Sequence, residues 1–285
     1  MEPKISYIIC ATPRSGSHLL CEALKNTKLA GIPDEYFITH EGKLPNETEH
    51  IIKRYGKKTL EEFRQLVFEV GSTPNGAFGI SILRGDIPHI LNNYRELPQY
   101  RELTDPQLMN VLFNNPKYIW LTRQDKVRQA VSLAKAVQTD VWRQSTHEQF
   151  ERKQEPVFDF HSIDFRYNRL VEDDLEWSQF FAQQNITPFK VVYEELVNNY
   201  EQTAVAILDY LNISHPEKIE FGERRLQKQA DRLSEEWVAR YNETKQYHQS
   251  RQTGLPNIAQ YKFKLQERIR RITVRRWLKQ LFRRG

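Results

Sequence analysis

Arg14, Ser15, Gly16, Ser17 and His18 stand together in the stretch SYIICATPRSGSHLL, an apolar run that leads through a Gly/Ser turn into a helical pattern. Backbone N–H groups of a glycine turn at a helix start form a concave anion site, and the helix dipole strengthens it. Gly16 permits the turn, Ser15 and Ser17 add hydroxyl donors, and Arg14 adds fixed charge with a fork of donors. A triphosphate-binding loop places lysine and then serine or threonine after its last glycine, for the terminal phosphates and magnesium. Here Ser17 and His18 follow Gly16, which disfavours ATP hydrolysis. Taken alone, the loop also reads as a plain capped helix start.

A second anion site is expected further on. Arg123 follows the apolar run YIWLT, and Ser132 lies nine positions later in the next helical pattern. Both belong near the carboxyl ends of parallel strands, where open α/β sheets bind ligands. Two anion sites at one sheet edge suit a nucleotide with a 5′ and a 3′ group.

The elements that must position these residues are legible as apolar runs. Tyr7–Ala11, Phe78–Leu83, Tyr118–Thr122 and Phe189–Tyr193 read as buried parallel strands, each followed by a polar turn and helical periodicity. Asp105 is the expected cap of a helix with Pro106 in its first turn and Leu108, Val111 and Leu112 on one face; Asp125 is the expected cap of the next. Val205, Leu208 and Leu211 mark a helix after the last strand. An amphipathic helix is also expected over Lys57–Val70, and a longer helix over Phe158–Gln184. The alternation predicts a three-layer α/β fold around a central parallel sheet.

Composition sets the outer limits. The chain has 285 residues, 39% hydrophobic and 12% aromatic, enough for a real core. No apolar run reaches membrane-spanning length and no signal-peptide pattern is present, so a cytoplasmic protein is expected. Cys10 and Cys21 read as small buried residues, and no zinc spacing is present, so no metal is expected. The net charge of +5 is uneven: 261–285 holds ten Lys/Arg and one acid, hence +9, leaving −4 on the preceding 260 residues. An acidic body at 1–258 and a basic tail at 259–285 are therefore expected. Val274, Trp277, Leu278, Leu281 and Phe282 make that tail an amphipathic helix. It suits an anionic membrane surface or packing on the body or a dimer mate. Nucleic acid is not an expected partner, because the body is acidic and lacks a recognition motif.

In order along the chain come ATPRSGSHLL, GIPDEYF, STPNGAFG, TRQDKVRQAVSLAKAVQTDVW, VVYEEL and KQADRLSEEWVARY. Together, over roughly residues 6 to 257, they resemble the bacterial trehalose 2-sulfotransferase-like family, which uses 3′-phosphoadenosine 5′-phosphosulfate (PAPS). The resemblance implies a P-loop-like fold, metal-free sulfuryl transfer to a carbohydrate or glycolipid hydroxyl and, frequently, a homodimer. It assigns Arg14, Ser15, Gly16, Ser17 and His18 to the 5′-phosphosulfate, Arg123 and Ser132 to the 3′-phosphate, and Glu35 to the general base. Arg14 would also stabilise the group in transfer, and Lys228 would contact a phosphate. Two departures stand out: His18 replaces the family's threonine, and Ser81 replaces a lysine, with Arg84 on the opposite face of the strand. Tyr36, Phe37 and Trp142 read either as faces for sugar rings or as core. Two other readings compete: a non-catalytic nucleotide-binding or membrane-associated interaction protein, motivated by Ser81 and the tail, and a P-loop kinase, disfavoured by the missing lysine.

Overall fold

A computed structural model describes residues 2–38, 56, 58–142, 154–226 and 231–252. Four strands, β1 (Ile5–Ala11), β2 (Ala77–Leu83), β3 (Lys117–Thr122) and β4 (Phe189–Val192), form one parallel sheet in the order β2-β1-β3-β4. Their β-branched, apolar sequences suit strands covered on both faces, as parallel sheets must be. The helices are α1 (Ser17–Asn26), α2 (Leu60–Gly71), α3 (Ile87–Arg95), α4 (Asp105–Leu112), α5 (Lys126–Thr139), α6 (Phe160–Gln183), α7 (Tyr193–Asn198), α8 (Tyr200–Leu211) and α9 (Arg232–Gln252).

Side-chain alternation along the strands divides the core. Ile8, Cys10, Phe78, Ile80, Ile82 and Tyr118 face a layer that includes α2, α3, α4 and Trp177 and Phe181 of α6. Tyr7, Ile9, Ala11, Ile119, Leu121 and Val191 face the opposite layer, with α1 and α8. The expected three-layer α/β arrangement is therefore present. Each large side chain fully buried there contributes about 1.5–3 kcal/mol of transfer free energy. A third cluster joins α5, α6 and α9 through Val131, Ala134, Ile163, Leu170, Trp237 and Tyr241.

Several local expectations need correction. Thr104, not Asp105, caps α4, because Gln107 Oε1 accepts from Thr104 N at 3.0 Å in a capping box. Val111 is 45% exposed, and Leu108, Met109 and Leu112 form the buried face instead. α2 begins at Leu60, where Thr59 and Glu62 form a second capping box. The last helical stretch breaks at Asn199 into α7 and α8, and Ala204, Ile207, Leu208 and Leu211 form the stripe without Val205. Asp125 does cap α5, its carboxylate accepting from Arg128 N at 2.8 Å. Both cysteines are free and buried.

The strand order places a topological switch between β1 and β3. The chain leaves β1 for β2 on one side, and β3 for β4 on the other. The crevice at their carboxyl ends is where such sheets bind ligands, and the loops there carry the predicted residues. Among the described residues no helix is long and apolar enough to cross a membrane.

Candidate active site

The loop from β1 to α1 is held open by its own backbone. Ser15 N donates to Thr12 O at 3.1 Å, Arg14 sits at φ 63 and Gly16 at φ 100. Gly16 is required twice over. Its φ lies in the left-handed region, and a Cβ there would meet Tyr193 Cδ2 at 2.5 Å. From the α5 side, Gln129 Nε2 donates to Thr12 Oγ1 at 2.9 Å and to Pro13 O at 2.7 Å. α1 has Gly16 as its cap, with no capping side chain and no acidic residue in its first turn.

Two arginines converge on this loop. Arg14 Nε donates to Ser132 Oγ at 3.0 Å, and Arg14 Nη1 donates to Trp142 O. Arg123 is 8% exposed; its Nη1 donates to Arg14 O at 3.1 Å and its guanidinium lies 4.4 Å from the Tyr193 ring centroid. Burial, and then the neighbouring Arg123 charge, lower the pKa of Arg14 to about 10; burial also lowers that of Arg123. Two desolvated like charges side by side are relieved by an anion. The buried atoms Ser15 Oγ and Arg123 Nε have no hydrogen-bond partner among the described residues. Buried donors of this kind fit an oxyanion ligand.

Glu35 reaches the same loop from a different direction. Gly31, at φ 78, packs so closely on its neighbours that a Cβ would lie 2.9 Å from Gly71 O, Ala77 O and Gly79 N. Ile32 N donates to Gly71 O at 2.8 Å and Ser81 N to Asp34 O at 3.0 Å, so β2 and its approach anchor this segment. Lys25 Nζ donates to Asp34 Oδ2 at 2.8 Å, and Asp34 Oδ1 accepts from Glu35 N at 2.9 Å. Burial opposes the Asp34 charge, but the Lys25 ammonium and its hydrogen bond, the Glu35 N–H and His18 together hold the carboxyl below its ordinary range. Glu35 Oε1 then accepts from Ser17 Oγ at 2.8 Å, and Oε2 lies 3.9 Å from His18 Nε2.

The structure thus brings Glu35, Arg123 and Ser132 onto the loop that carries Arg14, Ser15, Gly16, Ser17 and His18. Lys228 and the basic tail at 259–285 lie outside the described residues. Part of KQADRLSEEWVARY, from Asp231 on, runs along α5: Lys135 Nζ contacts Asp231 Oδ1 at 2.6 Å and Arg128 Nη2 donates to Glu235 Oε2 at 2.9 Å. Ser81 is buried beside Cys21 of α1. Arg84 is on the other side, paired with Glu176 at 2.9 Å and lying over Trp177. Phe37 is core, 2% exposed against Phe63 and Phe113, which removes it as a sugar platform. Tyr36 packs on the same cluster, with its hydroxyl on Ile32 O at 2.6 Å. Trp142 remains 44% exposed beside Arg14.

Sequence reasoning missed Gln129, Tyr193 and Glu194. Glu194 Oε2 and Oε1 accept from Gln124 N at 3.1 Å and Asp125 N at 3.2 Å, closing the loop after β3. Its place just past the end of β4 is the one local signal that could have marked it.

The family model described as Stf0 sulphotransferase matches residues 6–244. A trehalose 2-sulfotransferase of Mycobacterium tuberculosis is 29% identical, covering 82% of this chain and 93% of the relative. One from Mycolicibacterium smegmatis is 29% identical over 88% of this chain and 97% of its own. Among solved structures, the sulfotransferase domain of the curacin biosynthetic pathway superposes with a TM-score of 0.44 at 18% identity, covering 76% of this chain and 77% of that one. That of the Synechococcus PCC 7002 olefin synthase gives 0.39 at 18% identity, covering 82% and 83%.

Proposed function

The chain belongs to the Stf0 sulphotransferase family, and on that premise we propose that it transfers a sulfuryl group from PAPS to a hydroxyl of a carbohydrate or glycolipid acceptor, with Glu35 as general base. The donor supplies an activated sulfuryl group on a 5′-phosphate leaving group. Sulfuryl transfer resembles phosphoryl transfer, an in-line displacement through a loose transition state, so the protein acts mainly by positioning and electrostatics.

In this reading Ser15 Oγ, the loop amides and Arg14 receive the phosphosulfate end, while Arg123 and Ser132 hold the 3′-phosphate. The Arg14–Ser132 hydrogen bond links the two halves, and Gln129 keeps the loop in place between them. Ser17 orients Glu35 and leaves its second carboxylate oxygen directed toward His18. Glu35 takes the proton of the attacking hydroxyl. No metal is assigned a role. A carbohydrate acceptor is inferred from the two relatives, whose names specify trehalose.

The observation that carries the proposal is the convergence of buried Arg123 and Arg14 with Ser17-held Glu35 on one uncapped loop. The test is sulfuryl transfer from radiolabelled PAPS to trehalose, glucose and glycolipid extracts. Label moving to an acceptor with wild type and not with Glu35→Gln supports the proposal. No transfer to any of them, by a protein that binds PAP (3′-phosphoadenosine 5′-phosphate), would favour the non-catalytic alternative.

A further inference from the structure

His18 Nε2 and Glu35 Oε2 lie 3.9 Å apart, too far for a direct hydrogen bond. That separation is one that a single oxygen at about 2.7–2.8 Å from each atom would bridge. The two atoms differ in kind. Glu35 Oε1 already accepts from Ser17 Oγ, so Oε2 is the carboxylate oxygen facing the gap, and an imidazole N–H can donate into it. The His18 side chain is 35% exposed and that of Glu35 13%, so His18 is the more accessible of the two.

Resting on the sulfotransferase reading above, we infer that His18 and Glu35 form a two-point seat for the attacking oxygen, and that this seat selects hydroxyl over amine acceptors. A seated hydroxyl gives its proton to Glu35 Oε2 and accepts from His18 Nε2–H with one lone pair. Its second lone pair attacks sulfur. The new bond is oxygen to sulfur; the bond from sulfur to the bridging phosphate oxygen breaks, and its electron pair leaves with the phosphate. The acceptor proton ends on Glu35. A neutral amine has a single lone pair, so the His18 hydrogen bond occupies the electrons it needs for attack. The seat therefore makes O-sulfated rather than N-sulfated products. His18 also holds the oxygen at the correct distance from the loop, an orienting role open to a residue directly after Ser17.

A crystal structure with PAP, together with kinetics of two His18 variants, tests the seat. An ordered water or acceptor oxygen within hydrogen-bond distance of both atoms is expected. His18→Phe, which keeps the ring and loses the donor, should slow PAP release from PAPS about tenfold, with water or trehalose as acceptor, the loss of one hydrogen bond. PAP affinity should stay within about twofold. His18→Gln, with an amide N–H at similar reach, should recover most of the rate. Direct closure of His18 onto Glu35, His18 turned onto a phosphate, or equal rates for the Phe and Gln variants would overturn the seat and leave the sulfotransferase reading intact. Failure of PAP to bind at all would overturn both.

Discussion

Two strand–loop–helix units stand side by side in this sheet, and they treat their helix starts in opposite ways. After β3, Asp125 caps α5 through Arg128 N, and Glu194 accepts from Gln124 N and Asp125 N. That loop carries its own anions. After β1, the cap is Gly16, no capping side chain or acidic first-turn residue is present, and Ser15 Oγ is buried without a partner among the described residues. Yet the arginine of the self-satisfied loop, Arg123, is turned toward the other one and donates to Arg14 O. One loop is a structural joint; the other, in the proposed function, is completed by a ligand anion. The same local fold yields either, depending on where its carboxylates are placed.

The largest effect that sharpens this contrast is catalytic. Glu35→Gln should lower sulfuryl transfer by about 100- to 10,000-fold, the usual contribution of a general base, and leave calorimetric PAP affinity nearly unchanged. A parallel loss of PAP binding would show Glu35 to be part of the anion site instead. Next comes Arg123→Met, which removes the charged donor set that the β3–α5 loop turns toward the β1–α1 loop. PAP should bind about 10- to 100-fold more weakly, consistent with a lost charge-assisted hydrogen bond, while AMP, lacking the 3′-phosphate, changes little.

Glu194→Ala attacks the other loop. It leaves the Gln124 and Asp125 amides without their carboxylate, and should cost about 1–3 kcal/mol of urea stability, with PAP affinity altered less than threefold. A larger loss of affinity than of stability would mean that the two loops are not separable.

The smallest effect concerns the layer behind the joint. Asp173 of α6 is 4% exposed; burial raises its pKa to about 6, against the opposing pull of Arg169. A carboxyl with a raised folded pKa binds more protons in the folded state between its unfolded and folded values. Its contribution to stability is therefore most favourable below about pH 4 and is lost as pH rises through about 6. Asp173→Asn should stabilise the protein at pH 7.5 by on the order of 1–2 kcal/mol, a gain that shrinks toward pH 4.5. Equal gains at both pH values in thermal melts would refute the assignment.

Much of this arrangement was legible in the chain itself, for physical reasons that differ by element. The strands announced themselves because a parallel sheet covered on both faces requires continuous apolar runs, as in YIIC and YIWL. The β1–α1 loop was legible because a left-handed turn requires its glycine. Arg123 and Ser132 were marked by their place after the YIWLT strand, whereas Glu35 was legible only through the ordered motif set, since nothing local sets it apart from a solvated loop carboxylate. Gln129, Tyr193 and Glu194 act over 69 to 177 positions through contacts that common residue types make anywhere. Asp105 and Thr104 are both competent caps, and the choice fell to the residue whose third neighbour, Gln107, could reach back. Phe37 and Trp142 are indistinguishable as aromatics in sequence; tertiary packing alone made one core and left the other at the crevice.

The central claim is that the β1–α1 loop is completed by a 3′-phosphorylated nucleotide gripped jointly with Arg123. Calorimetric titration of the full chain with PAP, set against AMP and ATP, tests it most directly. The account predicts that PAP binds at least about tenfold more tightly than either, and that Arg123→Met erases the difference. Equal affinity for all three, or a preference for ATP that requires magnesium, would contradict it.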